Sequence, residues 1–221
     1  MAPTSIFVKS NNINLHLREW STTGIPLLLI HGITSSGQTW SNIAPHFVEE
    51  YRVLAVDLRG HGQSSKPTAG YNWENDYGRD ISGLIETYLE EPPIIIGHSL
   101  GASVTAAVAV NLPRQVKAVI LEDPPAFVDD DLETLRERFA TTLDTKALPF
   151  EEKVKSFMEG ALQGPPKTMP ITREAAEYKS KNLEDMADAV ITELRKGGTT
   201  YKAESVFPRI SCPCLVMLGD P

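Results

Sequence analysis

Short runs of mainly apolar residues recur along the chain, and each ends in a turn of glycine, proline or small polar residues. A strand that is covered on both faces shows such a run without polar alternation. The runs lie at residues 26–30, 52–58, 94–96, 116–121 and 212–218. We therefore predict that these segments are strands of one sheet.

Between the first four of these predicted strands, apolar residues recur with the spacing of a helix. Apolar residues from position 40 onward recur at i, i+3, i+7 and i+8 and predict a helix that ends near Glu50. A stronger apolar stripe predicts a helix over 81–89, and residues 100–110 suit a helix packed inside a core. Because a helix between two strands favours a right-handed crossover and parallel pairing, the pattern predicts an α/β fold with a mostly parallel, doubly wound sheet.

The beginning of the chain predicts a β-hairpin. Two short runs with β character, 6–8 and 13–20, are separated by the turn-forming residues 10–12. In the second run apolar and polar residues alternate, so one face is predicted to be buried and the other wet. His16 falls on the wet face, and the pattern assigns it no role.

Residues 126–205 differ in character, because acidic and helical stretches replace the β-branched runs. The predicted helices lie at 132–139, with Asp130 as N-cap, at 154–162 and at 183–194. The strand pattern resumes only after them. We therefore predict a helical cap over 126–205, inserted into a core that comprises 1–125 and 206–221.

Composition and charge narrow the classes of protein that fit this chain. With 221 residues, of which 41% are hydrophobic, the chain can bury one substantial core. Its 29 acidic and 21 basic residues give a net charge of -8, which disfavours nucleic acid and anionic membranes as partners. We find neither a secretion leader nor a run of the roughly 20 apolar residues that span a membrane. A cytoplasmic location is therefore expected.

Two cysteines, Cys212 and Cys214, lie two positions apart in the last predicted strand. They would point to the same face but in series along the strand, which is a poor geometry for a mutual disulfide. We expect both to be ordinary buried thiols.

The candidate chemistry concentrates at residues 97–101, Gly-His-Ser-Leu-Gly. The run 94–96 stops at Gly97 and helix-compatible residues begin at Leu100, so the sequence predicts a strand, a sharp turn and a helix. Glycines flank Ser99 at the spacing G-x-S-x-G, because a larger side chain would clash with the neighbouring backbone in so tight a turn. This turn is expected to expose the serine hydroxyl above the sheet edge.

Three motifs, taken in order, resemble the α/β-hydrolase superfamily. His31-Gly32 follows one predicted strand, residues 57–64 (Asp-Leu-Arg-Gly-His-Gly-Gln-Ser) follow the next, and residues 97–101 follow the third. The resemblance implies a serine hydrolase of the esterase, lactonase or carbon–carbon bond hydrolase kind. Its substrate would be a small ester-like molecule that enters between the sheet and the cap, and no cofactor or metal is implied.

The resemblance also implies roles for individual residues. Ser99 would attack a carbonyl carbon and form an acyl-enzyme. The backbone N–H groups of Leu100 and Ile33 would form the oxyanion hole.

The general base is missing from its expected place. The family order is serine, acid, histidine, whereas all five histidines of this chain precede Ser99. His31 and His61 are interpreted as braces of loop backbone, and His98 is expected to point away from the serine hydroxyl. Since a serine without an imidazole is a poor nucleophile, we predict a natural chain that continues beyond Pro221 to the base, and an inactive 221-residue fragment.

Two aspartates compete for the role of catalytic acid. Asp123 ends the strand before the cap, and Asp220 follows the last strand, the usual place in the family. We favour Asp123, although a carboxylate beyond Pro221 would also fit. Asp57 opens a glycine turn and is interpreted as a residue that binds its own loop backbone.

A second hypothesis is a non-catalytic protein with the same fold. Such a small-molecule-binding or scaffold protein would have kept the turn at Ser99 and lost the base. The two hypotheses differ in whether the true C-terminus contains a histidine.

Overall fold

A computed structural model describes residues 2–125, 133, 136–137, 139–160, 171–196 and 203–219. The strands in this part of the chain are β1 (Thr4–Ser10), β2 (Ile13–Glu19), β3 (Ile25–Ile30), β4 (Tyr51–Asp57), β5 (Ile94–His98), β6 (Ala118–Glu122) and β7 (Cys214–Met217). They form one sheet in the order β1-β2-β4-β3-β5-β6-β7. The pairs β4–β3, β3–β5, β5–β6 and β6–β7 are parallel, which confirms the predicted α/β fold with a mostly parallel, doubly wound sheet.

The predicted N-terminal hairpin is confirmed and supplies the antiparallel part of the sheet. β1 pairs with β2, and β2 pairs with β4, both in antiparallel fashion. The turn between β1 and β2 contains Asn11 and Asn12, whose φ angles are 46° and 63°. Asparagine tolerates this left-handed backbone better than most residues, and two consecutive residues of this kind match the twist of a two-residue hairpin.

His16 of β2 is fully buried, so the prediction of a wet face is wrong at this position. The ring of Phe7 in β1 covers the imidazole, with 5.1 Å between the ring centroids. On its other side, His16 Nδ1 lies 2.8 Å from Asp57 Oδ2 in β4. Alternation shows which face a side chain occupies, but it does not show whether that face is covered by neighbouring strands.

The first two helices in the described part of the chain pack on the sheet, and the others lie between its last two strands in the sequence. They are α1 (Gly78–Tyr88), α2 (Leu100–Asn111), α3 (Thr142–Ala147), α4 (Phe150–Met158), α5 (Arg173–Asp185), α6 (Asp188–Leu194) and α7 (Ala203–Val206). α1 carries the predicted apolar stripe, and α2 is buried along nearly its whole length, as expected for a helix inside a core. None of these helices is long and apolar enough to cross a bilayer.

The helix predicted to end near Glu50 is wrong. The segment forms two 3-10 helices, Gly37–Asn42 and Ala44–His46. Pro45 stands at the start of the second one, and a proline lacks the N–H that a continuous α-helix would require. Trp40 is buried, whereas Ile43 is 46% exposed, so the apolar pattern located one buried residue but neither a continuous buried face nor the type of helix.

Between β6 and β7 the described elements are all helices. The predicted helix at 132–139 and its N-cap Asp130 lie largely outside the described residues. The predicted helix at 154–162 corresponds to α4, which ends at Met158. The division of the chain into a core and a cap stays a prediction.

The single helix predicted over 183–194 is wrong, because the chain extends between α5 and α6. Met186 and Ala187 have ψ angles of 141° and 137°, which are strand-like values. The N–H of Ala187 donates a hydrogen bond to the carbonyl oxygen of Gly60 at 2.7 Å. Since this N–H contacts the loop after β4, it is not available to a continuous helix, and the bond attaches the helix pair to the sheet domain.

Both cysteines are free thiols, as predicted. The expectation that both are buried is wrong, because Cys214 is exposed and Cys212 is partly exposed. Cys214 begins β7, which is an edge strand of the described sheet, and Leu215 beside it is 53% exposed. An edge strand lacks the second neighbour that covers an interior strand.

A buried ion pair fixes the loop that follows β4. Asp80 in α1 is fully buried and accepts two hydrogen bonds from Arg59, from Nε and Nη2, both at 2.6 Å. Arg59 Nη1 also donates to the carbonyl oxygen of Gly70, and Asn11 Nδ2 donates to Asp80 Oδ1 at 2.9 Å. Bidentate geometry of this kind joins the helix, the loop and the hairpin turn.

We expect Asp80→Asn to lower the free energy of unfolding by about 3 kcal/mol, because it removes the buried carboxylate that binds Arg59 and leaves only Asp76, 3.7 Å from Arg59 Nη1, as a counter-charge. Urea unfolding followed by circular dichroism measures this loss. Glu86→Gln is the matched control: it removes an exposed carboxylate from the same helix, and we expect a change below about 0.5 kcal/mol. Equal effects of the two substitutions would contradict the structural role of the ion pair.

Candidate active site

Ser99 lies between the end of β5 and the start of α2 in a backbone conformation that few residues adopt. Its φ is 52° and its ψ is -117°, outside the regions that residues with a side chain normally populate. Its N–H donates to the carbonyl oxygen of Glu122 at 2.9 Å. Its own carbonyl accepts hydrogen bonds from the N–H groups of Ala102 and Ser103. A strained serine between a strand and a helix is typical of a nucleophile elbow.

Two glycines make this turn possible. A Cβ atom on Gly97 would overlap the carbonyl oxygen of Gly101, and a Cβ atom on Gly101 would overlap the carbonyl oxygen of Ile30 at the end of β3. The backbones of β3, β5 and α2 therefore approach one another more closely than a side chain permits. The prediction that the turn requires glycine at both positions is confirmed.

The loop after β3 packs directly against the elbow. A Cβ atom on Gly32 would lie 3.2 Å from Ser99 Cβ. Ile33 follows Gly32 in this loop, and Leu100 is the first residue of α2, where N–H groups have no acceptor within the helix. The structure thus brings the loop that contains Ile33 and the helix N-terminus that contains Leu100 beside Ser99.

His31 braces the loop after β3 against the loop after β4. Its Nε2 accepts a hydrogen bond from the N–H of Leu58 at 2.9 Å, so the proton is on Nδ1, which donates to the carbonyl oxygen of Gly32 at 2.7 Å. Complete burial lowers the pKa of His31. The ring is therefore a neutral structural link, as the sequence-based interpretation proposed.

His61 has the same kind of environment. Its Nδ1 donates to the carbonyl oxygen of Arg59 at 2.9 Å, and its ring lies edge-on to His31 with 5.0 Å between centroids. Burial, together with the neighbouring His31, lowers the pKa of His61 to about 3. An imidazole that resists protonation to this degree is a poor general base, and the interpretation of His61 as a structural residue agrees with its contacts.

Asp57 has more partners than the sequence suggested. The expected hydrogen bond from its own loop is present, since the N–H of Gln63 donates to Oδ2 at 2.9 Å. The N–H of Gly37 donates to Oδ1 at 2.6 Å, and His16 Nδ1 lies 2.8 Å from Oδ2. Burial opposes ionisation, but the hydrogen bond from His16, the two backbone N–H groups and the nearby His31 lower the pKa of Asp57 to about 2.

Asp123 follows the last residue of β6, one position after the carbonyl that binds Ser99. It is exposed and has a φ of 45°, unusual for a residue other than glycine. Its N–H donates to the carbonyl oxygen of Met217 in β7 at 2.7 Å. Among the described residues its carboxylate has no hydrogen-bond partner. The competing candidate, Asp220, lies outside the described residues.

No imidazole in the described part of the chain hydrogen-bonds to Ser99, and all five histidines lie in that part. His98 ends β5 and lies against the loop after β3, where its Nδ1 would be 2.9 Å from a Cβ atom on Gly32. His46 ends a 3-10 helix on the surface. The location of a general base for Ser99 stays a prediction.

Two features beside the elbow were not predicted from the sequence. Thr34, one residue after Ile33, has a φ of 58°, although a β-branched residue disfavours this conformation and gives no sequence signal for it. Tyr178 of α5 reaches the Ser36 hydroxyl, with 3.5 Å between the oxygen atoms. This contact joins residues more than a hundred positions apart, so only the folded chain reveals that α5 lies over this loop.

Comparison with known proteins agrees with the class of protein that this site defines. Residues 25–219 match the family described as alpha/beta hydrolase fold. The chain is 36% identical over 218 residues to 2-(acetamidomethylene)succinate hydrolase of Mesorhizobium japonicum, covering 96% of this chain and 76% of that protein. A crystal structure of E-2-(acetamidomethylene)succinate hydrolase superposes with a TM-score of 0.78 at 27% identity, over 97% and 80% of the two chains.

A third similarity concerns the fold alone. The crystal structure of bromoperoxidase from Bacillus anthracis superposes with a TM-score of 0.81 at 20% identity, over 96% of this chain and 80% of that one. Taken with the family match, these similarities show that the chain belongs to the alpha/beta hydrolase family. Hydrolysis is the class of reaction that this membership supports.

The lowered pKa of His61 can be tested by the pH dependence of the free energy of unfolding. Its pKa in the folded protein is about 3, whereas an unfolded histidine takes up a proton below about pH 6.5. The unfolded chain therefore binds more protons than the folded one in this window, and the free energy of unfolding falls as pH decreases. For one histidine, each unit by which the pH decreases lowers the free energy of unfolding by up to about 1.4 kcal/mol.

We expect His61→Gln to reduce this pH slope by up to about 1.4 kcal/mol per pH unit, as measured by urea unfolding between about pH 6 and about pH 4. The control is His46→Gln, which changes an exposed histidine and is expected to keep the wild-type slope. A slope that His61→Gln leaves unchanged would show that the folded protein protonates His61 as readily as the unfolded chain.

Proposed function

We propose that this protein is a serine hydrolase that cleaves a carboxylic ester or a related acyl substrate through an acyl-enzyme on Ser99. The observation that carries the proposal is the backbone of Ser99, with φ 52° and ψ -117°, held at the junction of β5 and α2. Residues keep such a strained conformation where the surroundings impose it, and strain of this kind is concentrated at functional sites.

The proposed reaction begins with attack of the Ser99 hydroxyl on the carbonyl carbon of the substrate. Negative charge then develops on the carbonyl oxygen, and in this proposal the N–H groups of Leu100 and Ile33 stabilise it. A single donor of this type contributes about 3 kcal/mol to lowering the barrier. The position of Gly32 against Ser99 Cβ supports this arrangement.

Fewer observations bear on the acid and the base of the proposed triad than on Ser99. Asp123 is our candidate acid, because it follows β6 next to the carbonyl that binds Ser99 and its carboxylate is exposed. The base must be an imidazole that reaches Ser99, and His31 and His61 are held by other partners.

The substrate class has two candidates. The first is an ester of a small or medium acyl group, bound between the sheet and the helices of 126–205, which we propose as the cap. The second is an amide, favoured by the relative named for hydrolysis of 2-(acetamidomethylene)succinate. Each would pass through a tetrahedral intermediate on Ser99 that expels an alcohol from the ester or an amine from the amide, so the two differ in the leaving group and not in the role of Ser99. We further propose a cytoplasmic location for this activity.

Ser99→Ala tests the proposed nucleophile. We expect it to lower kcat/KM for p-nitrophenyl acetate and for 2-(acetamidomethylene)succinate by at least about 10³-fold. Ser103→Ala, one turn further along α2, is the matched control, since its hydroxyl has no hydrogen-bond partner among the described residues. Steady-state turnover that survives Ser99→Ala with little loss would exclude the proposed mechanism. The ratio of the two wild-type kcat/KM values decides between the ester and the amide.

Asp123→Asn tests the acid. We expect a loss of about 10³- to 10⁴-fold in kcat, because an asparagine cannot stabilise the imidazolium that forms in the transition state. The comparison variant is Asp220→Asn, for which we expect a loss below about tenfold. The reverse order of effects, measured on proteins with unchanged thermal unfolding, would assign the acid to Asp220.

A further inference from the structure

A serine, a histidine and an aspartate are connected by hydrogen bonds where the N-terminal hairpin meets β4, and the serine lies far from Ser99 in sequence. The Ser5 hydroxyl oxygen lies 2.7 Å from His16 Nε2, and His16 Nδ1 lies 2.8 Å from Asp57 Oδ2. A hydroxyl within hydrogen-bond reach of a base, and a base oriented by a third group, is the general signature of an activated nucleophile.

The sheet register explains why these three side chains meet. His16 of β2 is directly opposite Asp57 of β4 on one side and Phe7 of β1 on the other. Ser5 precedes Phe7 by two positions, so both side chains lie on the same face of β1. The chain of hydrogen bonds therefore crosses three neighbouring strands on a single face of the sheet.

Asp57 determines which nitrogen of His16 carries the proton. An ionised carboxylate only accepts hydrogen bonds, and two backbone N–H groups, from Gly37 and Gln63, already hold Asp57 in this form. Nδ1 of His16 therefore donates to Asp57. In the neutral ring this leaves the lone pair of Nε2 directed at the Ser5 hydroxyl, which is the arrangement that a general base requires.

Access and charge also suit a reaction at Ser5. His16 and Asp57 are fully buried, whereas Ser5 is exposed on the edge strand β1. Arg18 is directly opposite Ser5 in the hairpin, so its side chain stands beside Ser5. Its Nε is buried and has no hydrogen-bond partner among the described residues. A cationic donor at this place can stabilise negative charge that develops on an electrophile bound to Ser5.

We propose that Ser5 is a second nucleophilic serine, activated by His16 and Asp57, that is covalently modified by small activated acyl or phosphonyl compounds independently of Ser99. The modification is stoichiometric, and it occurs at the outer face of the hairpin. This inference does not depend on the function proposed for Ser99, because Ser5 lies on β1, Ser99 lies at the junction of β5 and α2, and their hydrogen-bond partners differ.

The proposed step is a substitution in which no group is oxidised or reduced. The Ser5 oxygen forms a bond to the carbonyl carbon or phosphorus, and the hydroxyl proton moves to His16 Nε2. The bond to the leaving group breaks, and the leaving group, fluoride or p-nitrophenolate, departs with the bonding electrons. The imidazolium of His16 then returns the proton to the leaving group or to solvent, and Asp57 stabilises the imidazolium while it exists.

The experiment uses the Ser99→Ala protein, so that the elbow does not react, and an alkyl fluorophosphonate as the probe. Peptide mass spectrometry follows the rate at which each serine gains the phosphonyl group. Ser211, exposed in the segment before β7, serves as the internal reference for an ordinary serine. We expect Ser5 to react at least about tenfold faster than Ser211, since general-base assistance contributes about 10²-fold or more. Denaturant is expected to remove the difference.

Two variants in the Ser99→Ala background distinguish activation of Ser5 by His16 from the effect of the exposure of Ser5. His16→Gln is expected to reduce the rate at Ser5 to that at Ser211, whereas Lys9→Ala, which changes an exposed residue of the same strand, is expected to leave it unchanged. Equal rates at Ser5 and Ser211 in the folded Ser99→Ala protein would overturn the proposal, whether or not His16→Gln folds. A fast Ser5 that a folded His16→Gln variant leaves fast would overturn it as well.

Discussion

The close approach of three backbone segments, the end of β3, the end of β5 and the start of α2, is the constraint on which the candidate site depends. Gly97 and Gly101 are necessary there because the carbonyl oxygens of neighbouring segments occupy the space of a side chain. This contact includes the turn at Ser99, whose φ is 52°. It requires β3 and β5 to be neighbours, so the strand order of the sheet is itself part of the site.

Two buried carboxylates hold the loops around this junction. Asp57 joins the loop after β4 to the segment at Gly37, and Asp80 joins the same loop to α1 through Arg59. His31 completes the arrangement by connecting the loop after β3 to the backbone of Leu58. Burying any of these carboxylate or imidazole groups without partners would cost free energy, and their hydrogen bonds offset that cost. These hydrogen bonds link the loops after β3 and β4 to each other and to α1.

The sequence predicted the sheet, the hairpin, α1 and the tight turn at Ser99, because each has a local signature in apolar periodicity or glycine spacing. It did not predict the 3-10 helices around Pro45 or the break at Ala187, since propensity does not reveal that a backbone N–H binds a distant loop. His16 was misassigned for a related reason: the partner that buries it, Asp57, lies forty-one positions away. The roles predicted for Ile33, Leu100, Asp123 and Asp220 came from family resemblance and not from periodicity or spacing.

The hydrogen bond from Ala187 to Gly60 has a consequence for how sequences of this kind can diverge. At Gly60, a side chain would collide with Tyr71 and Val190, so this position tolerates little change. At Ala187 the bond uses only the backbone N–H, so replacement by any residue other than proline preserves the donor. The constraint is therefore one-sided: the residue at position 187 can change, provided that it is not proline, while Gly60 and the hydrogen bond that its carbonyl oxygen accepts stay the same.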